Sequence, residues 1–351
     1  VHGVGDPEQW ASMLSPSAFQ ALKDRVDVDF DPAHGAGDPA ANVLQLGVND
    51  PVHLRLHVKN VDKLIVKVFE INSLNYYREH GREVSTDLQL DGLVANHERS
   101  FEYGDAPVRR VARDFSFPEI GKRRGVWVVE FIGGSRSSRA IIRKGQLSTL
   151  VTPGARGSNV HLLDELRKPV KNGAIWINSR RFSADEKGRV LVPFSNDPGR
   201  RKVVIEDANG FASLGNFDHP AEQYALNAGF HVDREALRQG GLATLVVRPT
   251  LTVAGQPVSL KRLEDVRLVL TSTDFDGVTS TDKIADFKLA SDRESTHVFR
   301  VPDRLSALQV HLTAKVIVAS HGNRQIEISA GDRFVVNNTL KSDRVDDLYL
   351  S

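Results

Sequence analysis

From Asn42 onward apolar residues recur at every second position, and that period constrains the fold more than any other feature of the chain. In PVHLRLHVKNV, Val52, Leu54, Leu56 and Val58 point one way and His53, Arg55 and His57 the other. A period of two sends alternate side chains to opposite faces of an extended strand, one toward a core and one toward water. The same habit runs through KLIVKVFEI, TDLQLDGLV, RSFEYG, VRRVARDFSF, GVWVVEFIGG and SRAIIRKG. About seven strand candidates in roughly a hundred residues, parted by turn signals, predict an antiparallel sandwich over 42–145. Within it, NSLNYYREHG reads as a loop or short helix whose Tyr76 and Tyr77 pack against the sheet.

The period differs before that point. DPEQWASMLSPSAFQALKDRVD has helical spacing through Trp10, Met13 and Leu14, then Phe19, Leu22 and Val26. Pro16 interrupts the run, so Ser15 is predicted to cap a second piece with Pro16 at its first position. DPAHGAGDPAAN is turn-rich and reads as a linker, giving a helical segment and linker over 1–41. Trp10 is expected to dock the short helix onto a neighbouring domain.

KPVKNGAIWINSRRFSADEKGRVLVPF, from Lys168 to Phe194, is crowded enough with Trp, Arg and acidic residues to suggest a site. Its spacing argues for turns and core. INSRRF is a tight reversal, and SADEKGRVLVPF is a second, with Gly188 supplying the positive φ that such turns need. Ala174, Trp176, Val190, Val192 and Phe194 can face a core, or Ile175 and Ile177 in the other register. Asp185 and Glu186 sit at a hairpin tip, where short polar side chains cap turn backbone. Adjacent carboxylates at such a tip are not held apart across a substrate, as paired acid–base work requires. A smaller sandwich is expected over 146–219.

From 220 to 351, VDREALRQGG reads as a short helix stopped at Gly240 and Gly241. LATLVVRPTL, VRLVLTST, KIADFKLA, THVFRVP, ALQVHLTAKVIV and QIEISAGDRFVV then follow as strands around AGQPV and SHGNRQ turns. DFSFPEIGKRRGVWVVEFI and VFRVPDRLSALQVHLTAKVI share one layout of strand, proline, loop and long strand, which suggests related sandwiches in tandem. The chain is therefore predicted to be all-β: tandem antiparallel β-sandwiches behind a short helical segment.

Composition excludes several function classes. The 351 residues suit two or three modules, and a net charge of +1 gives no field for nucleic acid. GKRRG and GRRK are expected on solvated loops. No cysteine is present, so disulfides, thiolate nucleophiles, Cys-type zinc sites and internal thioesters are excluded. No apolar run approaches the ~18 residues of a membrane span. The chain opens on Val1 and ends on DDLYLS; it is expected to be a processed or excised piece, covalently continuous with further domains, any targeting signal lying outside it.

No H-E-x-x-H, phosphate loop or dinucleotide fingerprint occurs, and IGGSRSS lacks the closing glycine of a nucleophile elbow. His53 and His57 share a strand face, but no local carboxylate or third histidine completes a metal set. The best site candidate is TSTDFDGVTSTD, where Asp274, Asp276 and Asp282 offer hard oxygen ligands for calcium around a tight turn. The competing reading is a hairpin turned by Gly277 whose aspartates stay in water. Calcium is the one cofactor candidate, and no catalytic residue is assigned.

With these segments laid out, the chain resembles the domain arrays of the bacterial alpha-2-macroglobulin family. Gly125, Trp127, Val129 and Phe131 match the G-x-[YW]-x-V-x-F strand of macroglobulin-like domains. Pro169, Val170, Ala174 and Ile175, then Asp185, Gly188 and Val190, resemble the carboxypeptidase regulatory-like sandwich. The resemblance implies macroglobulin or fibronectin III-like modules and a periplasmic, cell-surface or extracellular setting. The family's covalent trap requires a cysteine that this chain lacks, so no functional residue carries over.

The expected role is a non-enzymatic scaffold within a larger protein, holding a protein partner such as a protease. The rival is a set of carbohydrate- or calcium-binding modules accessory to a catalytic domain outside this chain. It requires Trp10, Tyr76, Tyr77, Tyr103 or Trp176 to form an exposed platform; Trp127 and Trp176 are expected to be buried.

Overall fold

Where alternation is cleanest the chain is strand. The computed structural model describes residues 13–30 and 42–336; Trp10 and nearly all of the linker segment lie outside the described residues. Helix α1 (Pro16–Asp24) begins as its sequence predicts, with Pro16 first and the Ser15 Oγ accepting the Ala18 N–H at 3.2 Å. It buries none of its own residues. The helix is held by its C-terminal end instead. Lys59 Nζ donates to the carbonyls of Leu22 and Arg25, and Asn60 Nδ2 donates to that of Lys23, which answers the acceptors that a helix end leaves open.

The first sandwich has two sheets. β1 (Asp27–Phe30), β3 (His53–Lys59) and β6 (Arg110–Ser116) form one, in the order β1-β3-β6. The other runs β2-β8-β7-β4-β5, from β2 (Val43–Leu46), β4 (Lys63–Ile71), β5 (His97–Glu102), β7 (Gly125–Gly133) and β8 (Arg136–Lys144). β2 lies parallel to β8, while the other pairings are antiparallel. Leu54, Leu56 and Val58 meet Leu64, Val66, Trp127, Val129 and Phe131 in the core between them, each full burial worth roughly 1.5–3 kcal/mol.

β7 is buried on both faces. Val126 and Val128, on the side away from this core, join Phe69 and Ile141 beneath Tyr76 and Tyr77 of α2 (Ser73–His80). The same layer takes in Val204 and Ala212 from the next module. TDLQLDGLV is not a strand, contrary to its alternation. Gly92 at φ +84° breaks it, and Leu88 and Leu93 close turns onto Ser85 and Leu90. Two of its carbonyls are answered by a side chain rather than a ladder: Arg139 donates to Leu88 O at 2.8 Å and to Thr86 O at 3.4 Å.

The middle strands form two small sheets. β12-β11-β14-β15 is built from β11 (Ala174–Ile177), β12 (Arg180–Ser183), β14 (Gly199–Glu206) and β15 (Ala212–His219); β13-β10-β9 from β9 (Ser148–Gly154), β10 (Gly157–Leu163) and β13 (Arg189–Pro193). INSRRF is the predicted reversal, a two-residue loop with Asn178 and Ser179 both at positive φ. The reversal at Asp185 is not a hairpin, because β12 and β13 belong to different sheets.

The last sandwich pairs β16 (Tyr224–Val232), β17 (Leu242–Val253) and β18 (Gln256–Val258), with β21 (Ser295–Arg300) also on β17, in one sheet. The other has the order β20-β19-β22-β23, from β19 (Glu264–Asp274), β20 (Thr279–Ile284), β22 (Leu305–Val318) and β23 (Arg324–Val335). VDREALRQGG holds only a single 3-10 turn, Arg234–Ala236, capped by Asp233. KIADFKLA is strand only to Ile284, and Asp286 at φ +52° turns the chain away. With two α-helices among the described residues, the chain is a tandem all-β protein. It divides into two compact units. One holds the described residues to Val151 with Asn159–Leu191 and Arg200–Phe217; the other holds Thr152–Ser158, Val192–Gly199 and the described residues from Asp218.

Candidate interaction surface

The GKRRG segment is a loop leading into β7, with Lys122 and Arg123 exposed and Arg124 half-buried. Gly125 has no room for a side chain, since a Cβ there would lie 2.4 Å from the Trp127 ring. That contact fixes where Arg123 and Arg124 leave the sheet. Arg123 is paired with Glu70 and lies 5.1 Å above Trp127. Arg124 reaches three carboxylates of the middle module: Glu165 at 3.1 Å, Asp207 at 3.2 Å and Asp164 at 3.4 Å. Its guanidinium is thus a polar staple within the first unit, and the expectation of a solvated charge is corrected for Arg124. Lys122 stays exposed at the rim of a groove of about 750 Å³ lined with Asn72, Asn96 and Asn209.

A second polar junction surrounds Trp176. Its Nε1–H donates to Glu206 Oε2 at 2.7 Å, Arg181 Nε donates to Glu206 Oε1 at 2.7 Å, and the Arg78 guanidinium covers the indole at 3.7 Å. Trp176 is therefore half-buried rather than buried, while Trp127 is 2% exposed. Tyr76 and Tyr77 are buried, and Tyr103 lies half-buried under Arg113 at 4.3 Å. These aromatics do not combine into one flat exposed platform.

Four aspartates share one turn. At Asp164, Asp185, Asp207 and Asp274, Oδ1 accepts the N–H groups two and four residues on, while the backbone closes a ring around it. The fourth residue of each (Arg167, Gly188, Gly210 or Gly277) has positive φ. The Arg189 backbone N–H holds the Asp185 carboxyl below the usual aspartate range. Asp185 is thus the turn device its sequence predicts.

The same device occupies the calcium candidate. Asp274 Oδ1 accepts from Asp276 N at 2.9 Å and Val278 N at 2.8 Å, Asp276 pairs with Arg304 at 2.9 Å, and Asp282 stands apart on β20. The turn does not bring the three carboxylates together. Among the described residues no group of three His, Cys, Asp or Glu side chains is placed to hold a metal ion. His53 meets the Ser116 hydroxyl at 3.0 Å.

Two lysines carry positions that residue type would not suggest. Lys144, 1% exposed, donates to Asp50 O at 2.8 Å and Gly121 O at 2.6 Å; Lys59 is likewise buried at the α1 terminus. Burial pushes both ammonium groups below the usual lysine value. Chemically, these arrangements fix loops and join modules. Lys122, Asn96 and Asn209 border a concavity of mainly polar lining.

Residues 64–145 match the family model of the AbpF first immunoglobulin-like domain, and residues 233–342 that of the AbpF third immunoglobulin-like domain. Actin-binding protein F of Dictyostelium discoideum is 33% identical over 352 residues, covering 98% of this chain. The chain spans 15% of the length of that relative. The sandwiches are thus immunoglobulin-like. Among solved structures, the MG0-NIE-MG1 domains of Escherichia coli alpha-2-macroglobulin are 11% identical, with 55% of this chain and 64% of that one covered and a TM-score of 0.34. The I9–I11 tandem from titin is also 11% identical, with 82% and 94% covered and a TM-score of 0.21. Both scores are too low to carry an argument.

Proposed function

We propose that this chain is a non-catalytic run of immunoglobulin-like sandwiches that engages a protein partner, and that the partner is actin. The observation carrying this reading is the 33% identity across 98% of the chain to a protein named for actin binding. The physical support is that conspicuous charged groups are spent on staples, as with Arg124 and Lys144, leaving rigid edges and loops for recognition. Domain limits of 1–41, 42–145, 146–219 and 220–351 go with this reading.

The test is co-sedimentation of residues 1–351 with actin filaments. We expect saturable pelleting that weakens as salt rises, because Lys122 and other rim charges are solvent-exposed. A chain that stays in the supernatant at low salt at every filament concentration refutes actin as its partner. A second reading, a macroglobulin-like module holding a protease outside the cell, draws on Gly125 packing against Trp127 in the motif of that family. A stable complex with an active protease, alongside no actin pelleting, would favour it.

A further inference from the structure

A lysine ammonium carries three N–H donors, and a donor left without an acceptor in a low-dielectric interior is costly. Lys144, the last residue of β8, is 1% exposed. Among the described residues it meets two acceptors, Asp50 O at 2.8 Å and Gly121 O at 2.6 Å, and no carboxylate pairs with it. The Asp50 carboxylate is already engaged, accepting the Gly47 N–H at 2.7 Å. Two donors of Lys144 therefore hold loops together, and the third remains open. Burial keeps this ammonium below the usual lysine value, with the Asp50 charge opposing that effect and the Lys122 charge adding to it.

Lys144 and both of its acceptor residues line a pocket of about 310 Å³, placed where β3 begins and β6 and β8 end. Pro51, Val52, Phe117 and Pro118 give it apolar walls, and the two prolines have no N–H to offer a ligand. Val52 and Phe117 belong to the core between the two sheets, so that wall is fixed by packing. Lys122 is exposed in the same lining and sets a second positive charge at the mouth. Two lysines against one carboxylate that is already engaged favour an anion. A single open donor beside apolar walls suits one negative charge on a hydrocarbon body, and a concavity of this size with few polar groups is typical of small-molecule sites.

We propose that this pocket binds a small monocarboxylate with an apolar body. Its carboxylate accepts the third donor of Lys144 and faces Lys122, and its hydrocarbon lies against Pro51, Val52, Phe117 and Pro118. The bound acid supplies the counter-charge that the buried ammonium lacks. This proposal stands whether or not actin is the partner.

The test is titration of the full chain with hexanoate, hexanol and hexylammonium, read by calorimetry and by NMR of the Lys144 ammonium in lysine-labelled protein. Hexanoate is expected to bind with a Kd of about 1 mM and to move the ammonium resonance. Hexanol should bind about tenfold more weakly, since it brings no charge to the ammonium, and hexylammonium should not bind. Lys122→Glu reverses the charge of an exposed side chain at the mouth, so it should weaken hexanoate by about threefold or more and leave hexanol unchanged. Lys144→Met should remove the preference for the acid over the alcohol. If that variant fails to fold, Lys122→Glu and the ammonium resonance decide alone. No hexanoate binding at about 20 mM overturns the proposal. So does hexanol binding as tightly as hexanoate, an ammonium resonance that does not move, or a hexanoate affinity indifferent to Lys122→Glu.

Discussion

Phe131→Ala is expected to destabilise the first unit by about 3–5 kcal/mol. Phe131 is fully buried on β7 and meets Phe115 at 5.0 Å, Phe30 at 5.4 Å and Phe117 at 6.3 Å, all edge-on. Removing the ring loses its transfer free energy and the edge-to-face contacts, and leaves a cavity between two sheets that cannot collapse around it. Urea unfolding followed by Trp127 fluorescence checks this, because Trp127 belongs to the same core. A loss below about 1 kcal/mol would mean that the core tolerates a cavity where its packing says it cannot. Phe131→Leu, which retains most of the volume, should cost distinctly less.

Asp207→Ala should be nearly as damaging, at about 3 kcal/mol or more. The Asp207 side chain accepts the Asn209 and Phe211 N–H groups at 2.9 and 3.1 Å, receives Arg124 at 3.2 Å, and is almost wholly buried. Alanine leaves the buried Phe211 N–H without its side-chain acceptor and withdraws one of three carboxylates from Arg124. Asp207→Asn keeps the turn acceptor while removing the charge, so the difference between the variants separates turn from staple. Asp185→Ala breaks the same turn in an exposed setting and should cost much less than Asp207→Ala. Equal losses at the two positions would show that Arg124 adds nothing.

The two expectations have different origins. Phe131 was legible, since GVWVVEFIGG alternates Trp127, Val129 and Phe131 toward one face. Val126 and Val128 were equally apolar, yet their burial needed a second layer that only the packing of α2 and the middle module supplies. The turn at Asp207 was also present in the sequence as D-A-N-G, the same pattern read correctly at Asp185. What concealed it was context, because a turn at a surface and a turn beneath an arginine have the same letters. Arg124 was misplaced for that reason: GKRRG looks solvated until Asp164, Glu165 and Asp207 are brought to it from positions distant in the chain.

Failures of strand prediction have a comparable cause. TDLQLDGLV alternates, but Arg139 on β8 takes the carbonyls of Thr86 and Leu88 that a partner strand would have taken. β16 is not among the strands predicted from the sequence, although Tyr224, Leu226, Ala228, Phe230 and Val232 alternate along it. In the calcium candidate, spacing placed three aspartates near one glycine, while the backbone of the turn claimed Asp274 and Arg304 claimed Asp276.

By itself the sequence determined the all-β class, most strands, the α1 cap and the two-residue hairpin at Asn178–Ser179, because side-chain alternation, capping and turn geometry act over a few neighbouring residues. Only the tertiary structure decided which strands form sheet ends, which charges become staples and which apolar faces acquire a second layer. Those outcomes depend on groups far apart in the chain meeting in a low-dielectric interior, where a charge must find a partner and an apolar face must find cover.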